Sequence, residues 1–155
     1  MATTSRDLSQ AAVAALGASS LCEAFQITAV ANAERPALRT PDGLFEITWG
    51  QYAARVRAIA AGLASLGVGD GDAVALFLTN RPEFHLVDTA TIHLGAAPFS
   101  VYHTNPPEQI VPLLENSGAR VIVTEPVFLE RARAARALCP SLEHSSSSTA
   151  TAATT

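Results

Sequence analysis

Hydrophobic positions in the second half of the chain alternate between short runs and longer amphipathic stretches. Ala73–Leu78 is an unbroken apolar run, which predicts a strand covered on both faces. Ala97–Val101 and Val121–Val123 read as two more strands. Helical patterns lie between them. Asn80 and Glu83 stand at capping-box spacing with Pro82 in the first turn, and Phe84, Val87, Ile92 and Leu94 follow before Gly95. Asn105 is placed to cap the next helix, with Pro106 at its first position and Glu108 at its third. Ile110, Val111, Leu113 and Leu114 then precede Gly118, and Pro126 opens a last helix to about Leu138.

Residues 73–138 therefore predict strand–helix three times over with short connections, the signature of a parallel sheet with right-handed crossovers. Upstream, Ser20 with Glu23 starts a helix that runs to about Asn32. Ala37–Thr40 and Leu44–Thr48 flank a Pro41-Asp42-Gly43 turn and read as an antiparallel hairpin. Thr48 and Gln51 form another capping box, followed by Tyr52, Val56, Ile59, Leu63 and Leu66 on one helix face, with Gly67 as the residue that ends it. The expected fold is α/β: a partial doubly wound parallel sheet flanked by helices, with an N-terminal helix and β-hairpin. Residues 1–19 read as a flexible lead and 20–144 as one domain. Residues 145–155, all serine, threonine and alanine, read as a disordered tail.

Composition narrows the chemistry. All ten basic residues among the 155 are arginine, so no phosphate-loop lysine, Schiff-base lysine or lysine general base exists in this sequence. A net charge of −4 argues against a nucleic-acid partner. No apolar stretch reaches the ~18 residues of a transmembrane helix, and no signal-peptide layout opens the chain. Cys22 and Cys139 read as reduced thiols of a cytoplasmic protein.

Candidate sites are sparse. Gly67-Val68-Gly69-Asp70-Gly71-Asp72 lacks the third glycine of a dinucleotide loop and follows a helix instead of a strand, so it reads as a turn. His85, His93 and His103 lack the spacing of a metal set and read as surface or packing histidines. His103 stands out because it follows a strand, and ligands of open α/β sheets gather at the carboxyl ends of strands. Thr79, Asn80 and Arg81 occupy the equivalent place after the preceding strand, where Asn80 also suits capping. Ser100 and Ser117 lack a nucleophile elbow. Arg131, Arg133 and Arg136 read as a solvated face near a helix C-terminus.

A distributed resemblance runs through residues 20–144. Ile47-Thr48-Trp49-Gly50-Gln51-Tyr52, Ala61-Gly62-Leu63, Gly67-Val68, Gly71-Asp72-Ala73-Val74-Ala75, Thr79-Asn80-Arg81-Pro82-Glu83 and Gly95-Ala96-Ala97-Pro98 occur in an order that resembles the N-terminal portion of AMP-forming acyl-CoA synthetases. Val101-Tyr102-His103-Thr104-Asn105, Glu108-Gln109-Ile110 and Asn116-Ser117-Gly118-Ala119 are similar to the long-chain fatty acid branch. The resemblance implies ligase chemistry: ATP and a fatty acid give an acyl-adenylate and pyrophosphate, then CoA displaces AMP, with Mg2+ assisting. The family's phosphate loop ending in lysine, its aromatic-and-threonine segment with a glutamate, its ribose-binding aspartate and its C-terminal lysine have no counterpart here. The resemblance thus carries no catalytic, cofactor-binding or metal residue onto this chain, and ATP, Mg2+ and CoA are expected only of the longer family members.

Ser141-Leu142-Glu143-His144 is similar to the family's approach to another strand, after which apolar β-branched residues are expected and a serine run follows instead. The expectation is a truncated ligase portion, its reading frame changed near His144 and inactive alone. The alternative is a non-catalytic module that associates through an exposed sheet edge.

Overall fold

The computed structural model describes residues 10–147. It divides into two compact units, residues 1–55 and 56–155. Contacts in the first unit are local, between neighbouring helices and within a hairpin, whereas the second is organised by a sheet.

The first unit contains α1 (Gln10–Leu16), α2 (Leu21–Ala31), β1 (Pro36–Arg39), β2 (Glu46–Thr48) and the opening turns of α3 (Trp49–Ser65). Helix α1 lies in the stretch expected to be flexible, where its alanines favour helix and it packs on α2. Residues 1–9 of that stretch lie outside the described residues. Ser20 caps α2 by accepting the Glu23 amide at 3.1 Å, but Glu23 reaches one residue further back, to the Ser19 amide and hydroxyl, both at 2.7 Å. The Thr48–Gln51 box is reciprocal, at 3.0 and 3.3 Å. Strands β1 and β2 pair antiparallel, and Gly43 takes positive φ in the turn. Phe25, Trp49 and Tyr52 pack ring against ring, with centroids 5.0–6.0 Å apart.

The second unit takes the rest of α3, then β3 (Ala73–Phe77), α4 (Pro82–His93), β4 (Ala97–Ser100), α5 (Pro107–Ser117), β5 (Val121–Thr124), a 3-10 turn at Pro126–Phe128, α6 (Leu129–Leu138) and β6 (His144–Ser147). The four strands form one parallel sheet in the order β4-β3-β5-β6. The α/β expectation with helix-flanked parallel strands holds. Ala75, Phe77 and Ile122 project into a buried cluster with Ile110 and Leu114 of α5 and Ala132 and Ala135 of α6. Val74, Leu76, Val121 and Val123 alternate to the other face and are equally buried.

Three local expectations shift. The buried face of α4 is Glu83, Leu86, Val87, Ala90 and Thr91, whereas Phe84, Ile92 and Leu94 stay partly exposed. Two polar residues disguise that face; Thr91 is fully buried because its hydroxyl donates to the Val87 carbonyl at 2.8 Å. Helix α5 begins one residue later than expected, with Pro106 as its N-cap, while Gly118 ends it in the left-handed region as expected. Finally, Ser145–Ser147 continue β6 instead of starting a disordered tail. The open backbone groups of β5 supply the pairing. Residues 148–155 lie outside the described residues.

Gly95 shows why the α4–β4 turn needs glycine. Its φ is +73°, and a Cβ there would collide with the Asp70 carboxylate.

Candidate functional site

Two features occupy the carboxyl edge of the sheet. One is an open cleft of about 430 Å³ between the ends of β3 and β4, lined by Leu78, Thr79, Asn80, Phe84, His85, Ser100, Val101, Tyr102 and His103. The size suits a small-molecule site. Five residues singled out from sequence converge here: Thr79, Asn80, His85, Ser100 and His103. Their meeting depends on the parallel pairing of β3 with β4, which sets Ala73 beside Ala97 and Leu76 beside Ser100. Tyr102 also lines the cleft and is 73% exposed. Asp88 stands one helical turn from His85; burial pushes its carboxyl above the ordinary aspartate range, and His85 draws it partly back.

The β4–α5 loop beside the cleft is held from α6. Arg131 donates to the His103 carbonyl at 2.7 Å and the Asn105 carbonyl at 3.4 Å, and its guanidinium lies 4.7 Å from the Phe128 ring centre and 5.3 Å from that of Phe77. The His103 ring stacks on Phe128. Arg131 is thus a buttress in the first turns of α6, not part of a solvated face at a C-terminus; Arg133 and Arg136 are exposed as expected.

The second feature is an ion-pair cluster between β3 and β5. Arg81 grips Glu83 with two bonds, at 2.6 and 3.1 Å, and Glu125 with a third at 3.0 Å. Glu125 also accepts the Thr79 amide at 2.7 Å. Both carboxylates are over 90% buried as residues. Burial alone would raise the Glu125 carboxyl, but the hydrogen bonds from Thr79 and Arg81 and the guanidinium charge outweigh it and hold the group below the ordinary glutamate range. Its bonds to Glu83 raise Arg81, which is charged at every working pH. Arg81 is therefore the N-cap of α4 and Glu83 its salt-bridge partner, in place of the Asn80–Glu83 capping box expected from spacing. Sequence reasoning missed Glu125: the only signal was its position directly after a strand.

Other candidates stay apart. His93 bonds the Thr89 carbonyl at 2.7 Å at the far end of α4. Ser117 turns back on its own helix, donating to the Leu114 carbonyl. The Gly67–Asp72 segment is a turn at the amino end of β3, with the Asp72 carboxylate accepting the Gly69 amide at 2.8 Å. Among the described residues no three His, Cys, Asp or Glu side chains converge to hold a metal ion, and no helix is long and apolar enough to cross a membrane.

The family model for AMP-binding enzymes matches residues 25–154, most of the chain. The chain belongs to the AMP-binding enzyme family. This family member is 49% identical over 114 residues to the uncharacterized protein Rv1549 of Mycobacterium tuberculosis, covering 74% of this chain and 65% of that one. It is 38% identical over 88 residues to the long-chain-fatty-acid–CoA ligase FadD15 of the same species, covering 56% of this chain but 15% of the ligase. Its fold is that of the putative long-chain-fatty-acid CoA ligase of Rhodopseudomonas palustris, with a TM-score of 0.77 at 22% identity over 87% of this chain and 34% of that one. The family uses ATP, Mg2+ and CoA. The residues here do not fit the phosphate end of that set: the sequence has no lysine, and Arg81, at the carboxyl ends of β3 and β5, is already neutralised by two carboxylates.

Proposed function

We propose that this chain is the N-terminal portion of a long-chain fatty acid–CoA ligase system, cytoplasmic, and without adenylating activity of its own. The FadD15 match supports this reading, because it links the distributed motif order to a ligase named for long-chain fatty acids. The missing chemistry supports the second half: the sequence holds neither a lysine nor a glycine-rich phosphate loop after a strand. With ATP, Mg2+, CoA and palmitate, pyrophosphate release by the chain alone is expected to stay at the background measured without fatty acid.

A second reading, a non-catalytic module that self-associates, is favoured by the asymmetry of the two sheet edges. On β4 the amides of Ala97 and Val101 bond β3, so Pro98 faces outward at a position where it offers no N–H. On β6 the His144 amide bonds the Arg120 carbonyl, so the backbone groups of Ser145 and Ser147 face outward and are open to pairing. Under this reading the chain elutes as a dimer in size-exclusion chromatography and Ser145→Pro returns it to monomer; a monomeric parent chain contradicts it.

A further inference from the structure

In the strand order β4-β3-β5-β6, the connection leaving β3 and the one leaving β5 run to opposite sides. The crevice between the carboxyl ends of those two strands is where open sheets of this kind receive ligands, often anionic ones. Here the crevice is filled from within. Glu125, the first residue after β5, lays its carboxylate on the Thr79 amide, two residues after β3, and on the Arg81 guanidinium. Those are donor types, a backbone amide at a strand end and a guanidinium N–H, that hold a bound carboxylate or phosphate, while the two-pronged face of Arg81 stays on Glu83. Glu125 is 7% exposed, whereas the Arg81 side chain keeps 34% exposure and so remains reachable from solvent.

We infer that Glu125 is a built-in anion closing a latent anion site made of the Thr79 amide and Arg81. While it is seated, the crevice takes no external anion. Removing it leaves a carboxylate-sized vacancy with both donors in place. Nothing in this inference depends on the ligase assignment.

The test uses the full chain carrying Glu125→Ala, titrated with acetate or inorganic phosphate against sodium chloride of equal ionic strength. Thermal unfolding and the amide shift of Thr79 are followed together. The expected result is a saturable rise in Tm, about 5–10 °C at tenfold excess over the dissociation constant, with the Thr79 signal moving on the same curve. Acetate acting alone marks a carboxylate-sized site, and both ions acting marks a general anion site; either supports the inference. Wild type and Glu125→Gln, in which the crevice stays filled, respond no more than to chloride. Should Glu125→Ala be unfolded without anion, acetate is expected to restore the folded signal. The inference is overturned if neither ion stabilises or restores Glu125→Ala, or if the response persists in the Arg81→Met/Glu125→Ala double variant.

Discussion

Arg81→Met is expected to destabilise the second unit by about 2–3 kcal/mol near neutral pH. Stranding one member of a buried ion pair costs about 3–5 kcal/mol; the lower figure allows for the third of the arginine side chain that stays in water. The loss falls on two carboxylates at once, since Glu83 and Glu125 are both buried and share this counter-charge. The pH dependence identifies the cause. In the wild type, Glu125 sits below its ordinary value of 4.5, so its contribution is full above that value and is lost as pH falls through the lower folded value. Without Arg81, only the Thr79 bonds oppose burial, so the same carboxyl rises from its wild-type value, which penalises the charged form. The deficit of the variant is therefore widest above the ordinary carboxylate range and shrinks steadily into acid. Urea unfolding of both proteins from pH 7 to pH 3 measures it; a deficit that does not change with pH would mean that the loss is packing alone.

Phe77→Ala is expected to cost about 3–5 kcal/mol. Phe77 is fully buried at the end of β3, stacks on Phe128 at 4.9 Å and lies under the Arg131 guanidinium. Truncation opens a cavity inside the cluster shared by β3, β5, α5 and α6 and loosens the arginine that fastens the β4–α5 loop. Against a total stability of about 5–15 kcal/mol for an ordinary domain, that loss leaves little margin. Phe77→Leu, which keeps most of the volume, is expected to lose less than half as much by the same urea titration.

The order of strands and helices from β3 to α6 was legible because each boundary carries its own local chemistry: an unbroken apolar run for β3, a glycine at positive φ after α3, after α4 and after α5. Exact caps were less legible. Asn80 and Asn105 have the right side chains, yet the N-caps are Arg81 and Pro106, because the Arg81 ion pairs and the rigid Pro106-Pro107 step outweigh a single cap bond. Strand β6 was hidden for a different reason: pairing there depends on the backbone groups of β5, which no local pattern at 144–147 announces. The site followed the same division. His103 and Thr79 could be placed at strand ends from the pattern alone, but their sharing of a cleft with His85, and the Arg81–Glu125 pair spanning 44 positions, are products of sheet topology.

This chain carries the fold of an AMP-binding enzyme, and the proposal that it does not adenylate on its own is open to direct test. The most direct measurement is fatty-acid-dependent pyrophosphate release by the purified full chain, run beside FadD15 with ATP, Mg2+, CoA and palmitate. Release is expected from the ligase, and none above the no-acid background from this chain. Palmitate-dependent release by the chain alone would contradict the proposal.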